Sequence, residues 1–329
     1  MRRFTAVTLA AALVAPLSLE AQANQPVPIK EFKVEWEGRP RDPYVGPDGK
    51  VWFVGQAGNY IGYLDPAAET FKRFEIEAGT NPHNLIVDPQ GQVWYTGNRN
   101  GRIGRLDPAT GKIQTYLMPD PAARDPHTAI FDGKGNIFFT LQGASMIGRL
   151  RMATGEIKLV PASDRPANPY GIVLDNEGHP WVALFRQNAV VRVNPETMAL
   201  TRFNEASDSS RSRRIEWTQD NMVWYVDEPR GFLGRINPKT GEVKEWQTPG
   251  GPGSRPYALT KDDRGRLWFS ETGPVKQLVG FDPRTERFFS VNSVSNTIRH
   301  MMFHAPTGMM WFGTDSNNIG RAIVSPRTT

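Results

Sequence analysis

The side chains with the most chemistry gather at one recurring position of this chain. Eleven residues before each of seven evenly spaced aromatics stand Arg41, His83, His127, Tyr170, Arg213, Tyr257 and His300. None is aliphatic, and three of the chain's five histidines are among them. Five of them follow a proline (Pro40, Pro82, Pro126, Pro169, Pro256), whose fixed φ favours an extended strand start. Guanidiniums, imidazoles and phenols collected in one place would bind an anionic or hydrogen-bonding ligand. A second set lies three or four residues after the aromatics: Asp227, Glu228, Glu271 and Asp315, all in the last three units. Earlier units carry Gln56, Asn98 and Gln142, or the apolar Leu184 and Phe185, at those places. Carboxylates with water are what Mg²⁺ or Ca²⁺ takes as ligands, and an adjacent imidazole can act as a general base. His300 and Asp315 share a unit and are expected to be neighbours.

These groups converge only if the chain repeats. The aromatics are Trp52, Trp94, Phe138, Trp181, Trp224, Trp268 and Trp311, at intervals of 42 to 44 residues. Each unit reads alike: the run Asn84–Val87, the turn Asp88-Pro89-Gln90-Gly91, and then Val93-Trp94-Tyr95-Thr96. Arg102–Leu106, the turn Asp107–Gly111 and Lys112–Tyr116 follow. Four short runs rich in β-branched and aromatic residues, bounded by Pro and Gly turns, are the signature of one propeller blade. The fold class expected is therefore all-β, a seven-bladed β-propeller of four-stranded blades occupying residues 24–329 as one domain. The first strand of each blade lines the central channel, which brings the seven recurring residues to one mouth. The chain finishes on Asn318–Ile323, which matches a third strand. Residues Ile29–Glu37 resemble the missing fourth, so the N-terminal strand is expected to complete the last blade and leave no open edge.

Composition excludes several classes. No cysteine means no disulfide framework, thiol catalysis, or cysteine-ligated zinc or iron–sulfur site. The 39 basic and 34 acidic residues are interspersed, without the basic block that grips nucleic acid. Arg2 and Arg3, an apolar run to Leu19 and Ala21-Gln22-Ala23 form a secretory leader pattern over residues 1–23, with cleavage expected after Ala23. The remaining chain has no run of membrane-spanning length, so a periplasmic or secreted location is expected. Other features have plainer readings. The tryptophans are packing residues, and Arg213 beside Asp227 and Glu228 suits a structural ion pair. His179 and His304 lie away from the mouth, Ser207–Arg214 reads as a solvated loop, and Gly250–Gly253 is a turn with no helix after it to cradle phosphate.

The units Asn81-Pro82-His83 … Gly91-Gln92-Val93-Trp94-Tyr95-Thr96 … Ile103-Gly104-Arg105-Leu106 resemble the repeat of the streptogramin B lyase (virginiamycin B lyase) family. So do Arg255-Pro256-Tyr257 … Leu267-Trp268-Phe269-Ser270-Glu271 and Trp311-Phe312 … Asn318-Ile319-Gly320-Arg321. The resemblance covers all seven units. It implies a propeller that opens a cyclic depsipeptide at its ester bond by Mg²⁺-assisted elimination. In that family the base is the histidine of a Glu-Pro-His triplet in the last blade, which falls here on His300. A second carboxylate falls on Asp315. The triplet's glutamate falls on Ile298 and its proline on Arg299, a penultimate-blade histidine on Tyr257, and a first-blade tyrosine on Arg41. With Ile298 unable to bind metal, Asp315 and Glu271 remain as the implied Mg²⁺ ligands.

Three functions follow as expectations. The first is a carbon–oxygen lyase with His300 as base and Mg²⁺ polarising the ester carbonyl. The second is a non-catalytic exported propeller that holds a small molecule, a peptide or a protein partner through Arg41, His83, His127, Tyr170, Arg213 and Tyr257. The third is a metal-dependent lactonase-type hydrolase. The lyase and lactonase readings require a divalent metal, and the binding reading does not.

Overall fold

The computed structural model describes residues 24–327. Seven four-stranded antiparallel sheets follow one another in a closed ring, with no helix among the described residues. The second blade is typical, with strands Pro82–Val87, Val93–Gly97, Arg102–Leu106 and Ile113–Leu117 in that order. Its first two strands are buried throughout, while the fourth has no fully buried residue and three exposed ones of five. That gradient follows from position, because the inner strands are covered by their neighbours and the outermost faces water along one side.

The ring closes as expected. Strand Ile29–Lys33 pairs with Asn318–Ile323, which continues through Met309–Thr314 to Ile298–His304. Phe32 lies opposite Ile319 and stacks on Trp311, so the closure is an apolar seam as well as a hydrogen-bonded ladder. The proposed leader lies outside the described residues.

The aromatics at the repeat position are all buried. Each packs between blades: Trp181 contacts Trp217 of the next blade and shares a cluster with Ile215 and Tyr225. Several indole N–H groups meet the turn carboxylate that starts the same hairpin. Trp94 donates to Asp88 at 2.9 Å, Trp181 to Asp175 at 3.0 Å and Trp268 to Asp262 at 3.1 Å. The Asp-x-x-Gly turn thus caps its own blade's packing residue, and the buried donor is satisfied.

Two further features bear on the channel. All seven blades shift register near the start of their first strand. Such a bulge puts two residues opposite one and re-aims the side chains there. The Ile-Gly or Leu-Gly of the third strand also has a steric cause: a Cβ at Gly104 would strike the ring of Tyr95, and one at Gly234 the ring of Tyr225. Both rings are buried in a packed interior that cannot give way cheaply. Gly234→Ala is therefore expected to cost roughly 1–3 kcal/mol, seen as a lower urea midpoint with the β-rich circular dichroism spectrum retained. An unchanged midpoint would show that the ring moves aside.

Candidate functional site

The bulges decide which side chains meet on the axis. In the first six blades the residue paired with the repeat aromatic lies eight positions before it, as Ile86 does with Trp94. In the seventh, Met302 pairs with Trp311, nine positions before, because the hairpin between them is one residue longer. Counting back from the ladder instead of the aromatic corrects the expected ring. Arg299, not His300, stands with Arg41, His83, His127, Tyr170, Arg213 and Tyr257. His300 belongs to the next ring inward, with Asp42, Asn84, Thr128, Gly171, Arg214 and Ala258.

The outer ring is packed shut rather than open. Arg41 is 6% exposed, His83 4%, His127 1%, Tyr170 3% and Tyr257 5%. The rings of His83 and His127 lie 3.5 Å apart between centroids, and His127 to Tyr170 is 4.3 Å. The Tyr170 and Tyr257 hydroxyls share a hydrogen bond. Arg213 covers this group from above, its guanidinium 3.9 Å from the centroid of Phe185 and 4.8 Å from that of Tyr257. Burial, then the Arg41 and Arg214 cations, holds His83 well below its ordinary value. His127 is lowered by burial first and then by His83. Both imidazoles are neutral. Burial would raise the Tyr257 phenol, yet Arg41, Arg213 and Arg299 with the Tyr170 hydrogen bond bring it below its ordinary value.

Beneath lies a knot that spans the channel. Asp42 Oδ1 accepts from Arg41 Nε at 2.9 Å, and its Oδ2 accepts from Asn84 Nδ2 at 3.1 Å and Arg214 Nη2 at 3.3 Å. Arg214 Nη1 donates to Thr128 at 3.1 Å. Asp42 has a φ of 49°, in the left-handed region that Asp tolerates better than most residues. Burial acts to raise its carboxyl, but the Arg41 cation above all, with Arg214, holds it far below the usual carboxylate range. Burial, then Arg214, pushes His300 down to about 3, so this imidazole too is neutral. Asp42, Asn84, Thr128 and Arg214 each follow the recurring position by one place, next to the bulge that spacing alone does not reveal.

The carboxylates do not form one metal site. Asp315 is clamped by Arg299, at 2.6 Å from Nη2 and 3.2 Å from Nε, instead of facing His300. Glu271 is buried, accepts from the Gly250 amide at 2.9 Å, and packs against the loop before its blade. Asp227 bonds Arg230 and the Arg211 amide, while Glu228 takes Arg213 and Arg255. The expected ion pair of Arg213 is thus with Glu228 alone. Among the described residues no group of three His, Asp or Glu side chains could hold a metal. Asp315 and Glu271 therefore do not fit Mg²⁺ as joint ligands: one is neutralised by a bidentate guanidinium, and the other is buried against the Gly250 amide of a different blade's loop. What the rim does offer is a cleft between the fourth, fifth and sixth blades. It is lined by Phe185, Arg211, Arg213, Glu228 and Arg255 among others, three guanidiniums to one carboxylate.

A ring of seven four-stranded blades around a plugged, arginine-rimmed axis defines the protein as a β-propeller. The chain belongs to the virginiamycin B lyase family, whose pattern matches residues 27–322. A solved streptogramin B lyase is 26% identical, with 89% of this chain and 96% of that one covered and a TM-score of 0.80. A catalytically inactive histidine-to-alanine variant of Staphylococcus aureus virginiamycin B lyase, solved with quinupristin, is 23% identical. Its coverage is 90% of this chain and 98% of that one, with a TM-score of 0.81. An extracellular domain assigned to a hybrid two-component system of B. thetaiotaomicron shares the fold at 17% identity and a TM-score of 0.72, over 93% of this chain and 44% of that one. No curated protein sequence matches the chain.

The neutral imidazoles give a pH signature. Unfolded histidines take up a proton below about 6.5, whereas His83, His127 and His300 resist doing so in the fold. Their contribution to stability is complete above about pH 6.5 and is lost as the pH falls towards their depressed folded values. The urea midpoint is expected to drop from pH 7 to pH 5, and the drop to shrink in a His83→Gln, His127→Gln variant. The same drop in both proteins would mean that these rings titrate normally in the fold.

Proposed function

We propose that this family member is an exported binding propeller that holds an anionic small molecule or peptide carboxylate in the rim cleft. The observation that carries this reading is the charge of that cleft. Arg213 and Arg255 pair with its one carboxylate, Glu228, and Arg211 lines the same cleft beside Phe185. Guanidinium forks suit carboxylates, and an aromatic floor suits the ligand's apolar part. The family's elimination draws less support here. Arg299 occupies Asp315, one of the two carboxylates expected to hold the metal, and His300 lies one level further along the channel than the six other residues of its expected ring. Export is favoured by the leader pattern of residues 1–23 and by the extracellular origin of a structural relative. No helix of the described residues is long and apolar enough to cross a membrane.

A second reading, elimination with His300 as base, draws on one observation. The imidazole is held neutral and its Nδ1 has no hydrogen-bond partner. A substrate would then have to meet His300 below the plug rather than at the rim.

Mass spectrometry of the protein with quinupristin and Mg²⁺ separates the two. The binding reading expects intact antibiotic even at high protein concentration. A ring-opened product of unchanged mass, absent with EDTA and in His300→Ala, would establish the lyase instead. For binding itself, N-acetyl-phenylalanyl-glutamate should bind more tightly than its diamide and lose about tenfold in affinity in Arg213→Ala, the worth of one charge-assisted contact. Equal binding of acid and diamide would remove the anion from the proposal.

A further inference from the structure

The plug closes the channel from one side only. Below the knot the first strands run on to the opposite face, and the bore widens into a cavity of about 300 Å³. Its walls include Ile86, Ile130, Val173 and Met302, residues at one ladder level in four blades. Its ceiling carries His300, Arg214, Asn84 and Thr128.

Two ceiling groups have unmet hydrogen bonds. Arg214 is 3% exposed, and its Nε–H has no partner; His300 Nδ1 is likewise buried and without a partner. The rest of the ceiling is satisfied. Asn84 donates to Asp42 and accepts from the Ala129 amide, and Thr128 accepts from Arg214. An unmet donor in a dry cavity costs about 1–3 kcal/mol, which a ligand acceptor would recover. Charge points the same way. Arg41 and Arg214 face the single carboxylate of Asp42, and His300 is neutral, so the ceiling is one positive charge in excess. At the far rim Lys261 and Glu216 pair at 2.8 Å and cancel.

We propose that the lower channel is a second ligand site, separate from the rim cleft, for a compact monocarboxylate with an apolar tail. The carboxylate accepts from Arg214 Nε–H and from His300 in its Nδ1–H tautomer, and the tail fills the Ile/Val/Met bore. The volume lies at the small end of ligand pockets, suiting a medium-chain or monocyclic acid.

Octanoate is the probe, titrated calorimetrically into the full protein beside octanamide. Octanoate should bind at least about tenfold more tightly than octanamide, as expected for a charge-assisted contact. Filling the bore with Ile130→Trp, or with Val173→Phe should the first variant not fold, should abolish binding. Arg213→Ala at the opposite mouth should leave it unchanged, so failure here and failure of the rim reading are distinguishable. No octanoate binding, or binding that persists in a folded bore-filled variant, would overturn the site. Equal affinity for acid and amide would overturn the role of Arg214 and His300.

Discussion

The carboxylate of Asp42 organises this molecule's axis. It is fully buried, and a charge in that position is tolerable only while surrounded by donors. Arg41 comes from its own blade, Asn84 from the second and Arg214 from the fifth, and Arg214 reaches on to Thr128 of the third. Four of seven blades are thereby tied across the centre by side chains, in a fold whose backbone links join only neighbours around the ring. Removing any one donor would strand a buried charge, so the knot holds as a unit.

The remaining features of the channel follow from that constraint. Cations recruited to satisfy Asp42 also sit beside His83, His127 and His300, which with burial keeps all three neutral. Neutral rings can stack closely on one another and on Tyr170, and the stack seals the mouth. The channel is divided into an arginine-rimmed cleft on one face and an apolar bore on the other. Family membership brings the scaffold. In this chain the residues at the axis form a packed, positively charged plug, and Arg299 pairs with Asp315 beside it.

Much of this was legible in the sequence, and the exceptions share a cause. The 43-residue rhythm, the burial of the repeat aromatics and the closing N-terminal strand all depend on local patterns or on one repeat matched to another. The distance from His300 to Trp311 misleads about its ring, because the hairpin between His304 and Met309 is one residue longer than in the other blades. Arg299, one place earlier, had the signal of a cation before a histidine but no proline to mark it. Asp42 and Arg214 were harder still. They meet across 172 residues of chain, at a bulge that no alternation of apolar and polar residues reveals. The closed mouth was equally hidden, because a list of His, Arg and Tyr reads the same whether the side chains face solvent or one another.

The central claim is that Asp42 and Arg214 act as one buried pair across the axis, and a double-mutant cycle tests it most directly. Asp42→Asn, Arg214→Gln and the double variant would be compared by urea unfolding at pH 7. Each single change should cost about 3–5 kcal/mol by stranding its partner. The double variant should cost less than the sum of the two by more than about 1 kcal/mol. Additive losses would contradict the account, leaving two independent polar residues in a channel that something else holds closed.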